Sequence, residues 1–223
     1  MPYIINHFPN PPKAIIFDWD GVLVQTTDFI NQAFIYTHET VAPHLTRPEK
    51  IPGLSLRDYF PDFFGVNAQE AERVFYDYVE KNHLSALKPT PGAPDLLRFL
   101  GDQPYPLYIL SNKRGELLRK EVDYLSWTGY FSRVIGSGDC VEDKPSILPV
   151  RILLESAHIS ASKDVWFVGD GSVDMECATK SGCTALWMHP DDEKETLNSV
   201  VFPVDAIIFS CQDLQSIVIH NKL

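Results

Sequence analysis

Cysteine is scarce and unpatterned in this chain. Cys140, Cys177, Cys183 and Cys211 form no CxxC pair and no Cys/His group with metal-ligand spacing. That argues against a thiolate metal site and leaves reduced thiols of a cytoplasmic protein as the expectation. Long apolar runs are missing too: no segment approaches the ~20 residues of a membrane span. The opening Met-Pro-Tyr-Ile-Ile-Asn-His-Phe lacks the basic region and apolar stretch of a signal peptide. Positive charge is in deficit, with 19 Lys and Arg against 30 Asp and Glu, a formal net charge of -11. This argues against nucleic-acid or anionic-membrane binding driven by bulk electrostatics. A small anionic ligand stays open, because a metal and a few cations can reverse the field locally. There is no internal repeat and no low-complexity tract.

What is present suits one soluble core domain with a modest insertion: 223 residues, 44% hydrophobic and 22% charged. Residues 15–26, Ile-Ile-Phe-Asp-Trp-Asp-Gly-Val-Leu-Val-Gln-Thr, are the most informative stretch. An apolar run breaking at glycine predicts a buried strand. Two aspartates at its end are costly to hold together unless a cation or proton lies between them. The residues up to Pro12 read as an irregular lead-in to this strand.

From about residue 28 to 87 the apolar spacing is helical, as in Phe29, Ala33, Phe34 and Thr37 and in Ala71, Val74, Phe75, Tyr78 and Val79. Turn residues separate short helices in Ile51-Pro-Gly-Leu-Ser-Leu and Tyr59-Phe-Pro-Asp-Phe-Phe-Gly. Thus residues 27–88 read as a small helical insertion, and Pro89, Pro91, Gly92 and Pro94 mark the return. Strands are then predicted at 107–111, 133–136, 165–169, 184–188 and 206–209, and helices at 95–100, 116–124, 148–157 and 174–180. Apolar strands alternating with amphipathic helices predict an α/β fold with a doubly wound parallel sheet, built from 1–26 and 89–223. The acidic stretch 190–195 reads as a solvated loop.

Three further strand ends carry polar residues. Ser111-Asn112 closes a strand and feeds a helix, where a hydroxyl and exposed N–H groups can hold phosphate oxygens; capping of that helix is the plainer reading. Lys144 lies in a loop after the next strand, followed by a proline that reads as helix-initiating; alone it would be a solvated lysine. Val168-Gly-Asp-Gly-Ser-Val-Asp174 sets two aspartates around a helix entry, which could be an N-cap and a dipole-favoured acid. All four segments fall at carboxyl ends of strands in one sheet, where such folds bind ligands. Four carboxylates, a hydroxyl and a lysine would converge there, and oxygen-only ligation suits magnesium.

The order Asp-x-Asp-Gly, Ser-Asn-Lys, Asp-Lys-Pro and Gly-Asp-x-x-x-Asp resembles the haloacid dehalogenase-like hydrolase superfamily over nearly the whole chain. Ser111-Asn112-Lys113, Gly136-Ser-Gly-Asp139 with Lys144-Pro145, and Gly53-Leu-Ser-Leu in the insertion are similar to its phosphoglycolate phosphatase-type branch. Departures at Val22, Gln25-Thr26, Ile147 and Gly171 remove no expected catalytic group. The resemblance implies a Rossmann-like core with a helical cap over 27–88, and a magnesium-dependent phosphatase of a small phosphorylated metabolite, phosphoglycolate-like or a sugar phosphate.

In that reading Asp18 is the nucleophile that becomes an aspartyl-phosphate, and Asp20 is the general acid and base. Ser111, Asn112 and Lys144 bind the phosphoryl group. Magnesium is held by Asp18, the Asp20 backbone carbonyl and Asp170, with Asp174 holding its water or orienting Lys144. Arg47, Lys50, Arg57, His38, His44, His83 and Lys88 are cap-region cations open to a second anionic group. A phosphomutase and a non-catalytic phosphate-binding regulator are the alternatives. A monomer or homodimer, with no nucleic-acid or membrane partner, completes the expectation.

Overall fold

The computed structural model describes residues 3–5 (as backbone), 11–47, 56–189 and 202–220. The expectations placed on Lys50, on the Arg57 side chain, on 51–55 and on 190–195 lie outside what it describes. The strands are β1 (Tyr3–Ile5), β2 (Ala14–Phe17), β3 (Leu107–Arg114), β4 (Phe131–Ser137), β5 (Val165–Gly169), β6 (Thr184–Met188) and β7 (Ala206–Ile208). The helices are α1 (Thr27–Val41), α2 (Leu56–Phe64), α3 (Ala68–Ala86), α4 (Ala93–Gly101), α5 (Gly115–Tyr124), α6 (Leu148–Glu155), α7 (Ser172–Ser181) and α8 (Cys211–His220).

The sheet order is β1-β7-β6-β5-β2-β3-β4. Six strands run parallel, and β2 lies between β3 and β5. The chain therefore winds one way from β2 through β3 and β4, and the other way through β5, β6 and β7. The crevice at the carboxyl end of β2 is where this direction reverses, the usual ligand position in such sheets.

Successive residues on each strand face opposite layers. Ile15, Phe17, Ile109 and Val168 pack against Leu96, Leu97 and Leu100 of α4, Leu118 of α5 and Leu214 and Ile217 of α8. Ile16, Tyr108, Leu110 and Phe167 pack on the other side against Val150 and Leu153 of α6 and Met175 and Ala178 of α7. Because both faces are covered, β2 and β5 are apolar at every position rather than at alternate ones. Truncating Ile15 or Phe17, both fully buried, to alanine costs about 2–5 kcal/mol by the usual transfer and cavity terms.

Helices α1, α2 and α3 bury a separate cluster around Phe34, Phe60, Phe64, Phe75 and Val79, which also takes in Leu117 of α5. Their two connections to the sheet run side by side: Gln25 N–H donates to Lys88 O at 2.8 Å and Thr90 N–H to Leu23 O at 2.9 Å.

Three local expectations are corrected. The lead-in contains β1, which pairs antiparallel with β7, so the sheet is not wholly parallel. Strand β3 does not stop at Ser111 but continues to Arg114 through a register irregularity against β4, which moves the helix start to Gly115. The proline in the first turn of α6 is Pro149, not Pro145. Among the described residues no helix is long and apolar enough to cross a membrane.

Candidate active site

Strand β2 ends at Phe17, and the next residue, Asp18, donates its N–H to Val168 O of β5 at 2.9 Å. This holds the Asp18 carboxyl at the switch point. A tight turn follows, with Leu23 and Val24 N–H groups donating to Trp19 O and Gly21 N–H to Val24 O. Gly21 sits at φ +80° with Asp170 beside it, a conformation and a space that admit no side chain. Asp18 and Asp20 thus reach one cavity through a turn rather than along an extended strand.

Lys144 is 2% exposed at its side chain and bridges two carboxylates, 2.8 Å from Asp18 Oδ1 and 2.6 Å from Asp174 Oδ1. Burial alone would lower its proton affinity, but the charges of Asp174 and Asp18 outweigh that and hold the ammonium above the ordinary lysine range. Its loop is clamped from β3: Asn112 Nδ2 donates to Lys144 O at 3.1 Å, and Lys144 N–H donates to Asn112 Oδ1 at 3.0 Å. Ser111 is buried and accepts from the Lys113 N–H at 3.2 Å. Lying inside an extended β3, neither Ser111 nor Asn112 caps the following helix.

Asp170 follows the last residue of β5, and Asp174 lies in the first turn of α7, where its Oδ2 accepts the Gly171 N–H at 3.0 Å. Asp174 therefore secures a helix terminus and Lys144 together. Oxygen atoms of Asp18, Asp170 and Asp174 lie within 4.8 Å of one another. Burial pushes the Asp18 carboxyl up to about 7, with Lys144 opposing and Asp174 adding to the rise. Asp170 is raised well above the usual carboxylate range by burial and by the charges of Asp174 and Asp18. Asp18 and Asp170 therefore hold protons more tightly than ordinary carboxylates, and a bound cation would relieve the repulsion between them. The all-oxygen donor set fits a hard divalent ion such as magnesium. The Asp20 carboxylate is not part of this group; it accepts from Lys113 Nζ at 2.7 Å and from Thr26 Oγ1.

A cavity of about 290 Å³ joins these residues. Asp18, Asp20, Ser111, Asn112, Lys113, Lys144, Asp170 and Asp174 line it from the sheet side. Thr27, Ile30 and Asn31 of α1, Leu56 of α2 and Phe75, Tyr76 and Val79 of α3 close it from the other. Among the described cap-region cations, His38, His44, Arg47, His83 and Lys88, none lines it. His44, Arg47 and Lys88 are exposed, while His38 is buried with its Nε2 2.8 Å from Leu45 O. Arg114, exposed and lining the cavity, stacks 4.6 Å from the centre of the Tyr76 ring.

His83 is a further correction. Instead of facing solvent or ligand, it is buried with Nδ1 2.9 Å from Glu121 Oε1. Glu121 Oε2 accepts from Trp19 Nε1 at 2.6 Å and from Lys113 Nζ at 2.7 Å. Lys113 stands in the Ser-Asn-Lys triplet, and Glu121, which belongs to none of the motifs, holds its ammonium group. A signal existed: Glu121 is spaced three and four residues from Leu118 and Leu117, on the apolar face of α5.

Known proteins agree with this architecture. The family profile described as haloacid dehalogenase-like hydrolase matches residues 15–188. A phosphoglycolate phosphatase of Aquifex aeolicus is 30% identical over 195 residues, covering 78% of this chain and 85% of its own. A pyrophosphatase, PpaX, of Listeria welshimeri is 29% identical over 169 residues, covering 73% and 76%. A HAD-superfamily hydrolase of Ehrlichia chaffeensis superimposes with a TM-score of 0.67 at 26% identity, covering 96% of this chain and 99% of its own. The chain belongs to the haloacid dehalogenase-like hydrolases and is an enzyme of their phosphatase type.

Proposed function

We propose that this protein is a magnesium-dependent phosphomonoesterase that transfers the phosphoryl group of a small metabolite to Asp18 and then to water. The observation that carries this reading is the placement of Lys144 between Asp18 and Asp174, with Asp170 completing an acidic trio within 4.8 Å.

Asp18 is the nucleophile, held by its backbone hydrogen bond to β5 with one oxygen against Lys144. Lys144 offsets charge shared by Asp18 and an arriving phosphoryl group, and Asn112 fixes the loop that carries it. Ser111 and the backbone of Asn112 receive phosphoryl oxygens. Asp20 protonates the departing alcohol and then takes a proton from the water that cleaves the aspartyl-phosphate. Asp18, Asp170 and the backbone carbonyl of Asp20 would hold the metal ion. Asp174, already committed to Lys144 and Gly171, would act on the ion through water or only through Lys144. When bound, magnesium supplies charge neutralisation that lets an anionic nucleophile approach an anionic ester.

Residues 27–88 form a cap in this reading. Helices α1, α2 and α3 supply the apolar half of the cavity wall, which excludes water and contacts the leaving group. The substrate is a phosphoglycolate-like compound or a sugar phosphate, of a size the cavity holds. The four cysteines are free thiols, which supports a cytoplasmic setting.

Phosphate release from a panel of phosphorylated metabolites, with magnesium and with chelator, tests the proposal. The names of the relatives put 2-phosphoglycolate and inorganic pyrophosphate first in the panel. Release of phosphate above background, abolished by chelator, is expected. No release from any compound, or equal release in chelator, would overturn the reading.

A further inference from the structure

We propose that Glu121, joined to His83 of helix α3, is a positioning residue for Asp20 and acts through Lys113 in the leaving-group step. This inference rests on the phosphatase reading above. The side chains form a continuous buried chain. His83 Nδ1 is 2.9 Å from Glu121 Oε1, Glu121 Oε2 is 2.7 Å from Lys113 Nζ, and Lys113 Nζ is 2.7 Å from Asp20 Oδ1. Trp19 Nε1 adds a third donor to Glu121 at 2.6 Å.

Stability gives no reason for this arrangement. Buried ion pairs are often replaced by apolar side chains without loss, and Glu121 and Lys113 are 1% and 4% exposed at their side chains. What the arrangement does determine is the position of one ammonium group. Glu121 anchors Lys113 at the cavity wall and is itself held by three donors, so Lys113 meets Asp20 from one fixed side.

The consequence falls on the Asp20 carboxylate. Lys113 Nζ and Thr26 Oγ1 both donate to Oδ1. Among the described residues no protein donor reaches Oδ2. Two donors on one oxygen orient the carboxyl plane and leave the other oxygen to serve the substrate. In the first half-reaction a proton on Asp20 Oδ2 passes to the bridging ester oxygen. The bond from phosphorus to that oxygen breaks as the bond to Asp18 forms, the alcohol leaves neutral, and Asp20 is left as a carboxylate. A wandering Lys113 would blur the aim of that proton, and the leaving group would then depart with more anionic character. His83 and Glu121 belong to different parts of the chain, α3 and α5. The helix that lines the cavity is thereby tied to the group that must protonate whatever the cavity holds.

The test compares two aryl phosphates of similar size, 4-nitrophenyl phosphate and 4-methylphenyl phosphate. The nitrophenolate leaves readily without a proton, whereas the more basic methylphenolate needs one. In Glu121→Gln, three donors face a single amide oxygen and the charge opposing Lys113 is gone. Its kcat/KM, which reports steps up to phosphoryl transfer, should fall at least tenfold more on the methylphenyl ester than on the nitrophenyl ester. His83→Gln should shift the ratio the same way by less, and Glu121→Asp should recover part of it. A loss of folded protein scales both substrates alike, so the ratio isolates positioning from stability. Equal losses on the two esters, or no loss on either, would overturn the role of Glu121 while leaving the phosphatase reading intact. Wild-type protein inactive on both esters would overturn the two together.

Discussion

A Cβ added to Gly21 would lie 1.9 Å from Asp170 Oδ2. The turn that follows the first aspartate and the acid that follows β5 are packed so tightly that only glycine separates them. Gly21 also sits at φ +80°, which an alanine adopts only under strain. Gly21→Ala should therefore lower stability by about 1–3 kcal/mol and push Asp170 out of place. Denaturant melts and a magnesium titration of activity check this. A variant with wild-type magnesium dependence would show that Asp170 has no fixed role.

Asp18→Asn should abolish turnover and leave the fold intact, because an amide is not a usable nucleophile here. The substitution also removes one of the two anions that Lys144 bridges, but Asp174 still holds that lysine. Circular dichroism and a generic aryl-phosphate assay give the answer. Wild-type turnover in a preparation shown free of deamidation would remove Asp18 from the mechanism.

Magnesium should stabilise the protein more at pH 8 than at pH 5. Asp18 is raised from 3.8 to about 7, and Asp170 is raised as well. In the cation-free protein the folded state keeps protons that the unfolded state releases. The stability that Asp18 contributes is complete below its unfolded value and is lost as pH rises through about 7, and that of Asp170 is likewise lost as pH rises above its unfolded value. A cation replaces those protons, so its effect grows through the same window. Melting temperatures with chelator and with magnesium at the two pH values measure this, and equal increments would refute it. Calcium, with its longer distances and higher coordination number, should support little turnover.

Excising residues 27–88 should leave a core that still closes its chain, because Leu23 and Thr90, which both remain, are already hydrogen-bonded neighbours. Leu117 would lose its apolar cover and Glu121 its histidine, so a fall in stability is expected. The core should retain slow hydrolysis of a generic aryl phosphate and lose discrimination among metabolites. Measuring kcat/KM over a panel for both proteins decides it. Unchanged selectivity would place specificity in the core.

Much of this architecture was legible because its signals are local. The apolar runs of β2 and β5 are unbroken since both sheet faces are covered, and helical spacing marks α1 and α3. Acidic pairs stand out after such runs because burying unpaired charge there would be costly. The faults in the reading have equally physical causes. Strand β1 has three residues and takes its place from pairing with β7. Strand β3 runs on past Ser111 because β4 offers it a partner up to Arg114. Helix α8 lies beyond the helices expected from the sequence, although it buries Leu214 and Ile217 in the main core.

By itself the sequence determined the layered α/β core, the helical insertion and the acidic positions around one strand end. Each follows from side-chain periodicity or from charge set against an apolar run. Only the tertiary structure decided that Lys144 joins Asp18 to Asp174, that Arg114 lines the cavity, and that His83 is spoken for by Glu121. The pairings His83–Glu121, Asp20–Lys113 and Trp19–Glu121 join residues 38, 93 and 102 positions apart. No local pattern encodes such a distance. It is set by how the helices cross the sheet, and a buried charge finds its partner only after that crossing exists.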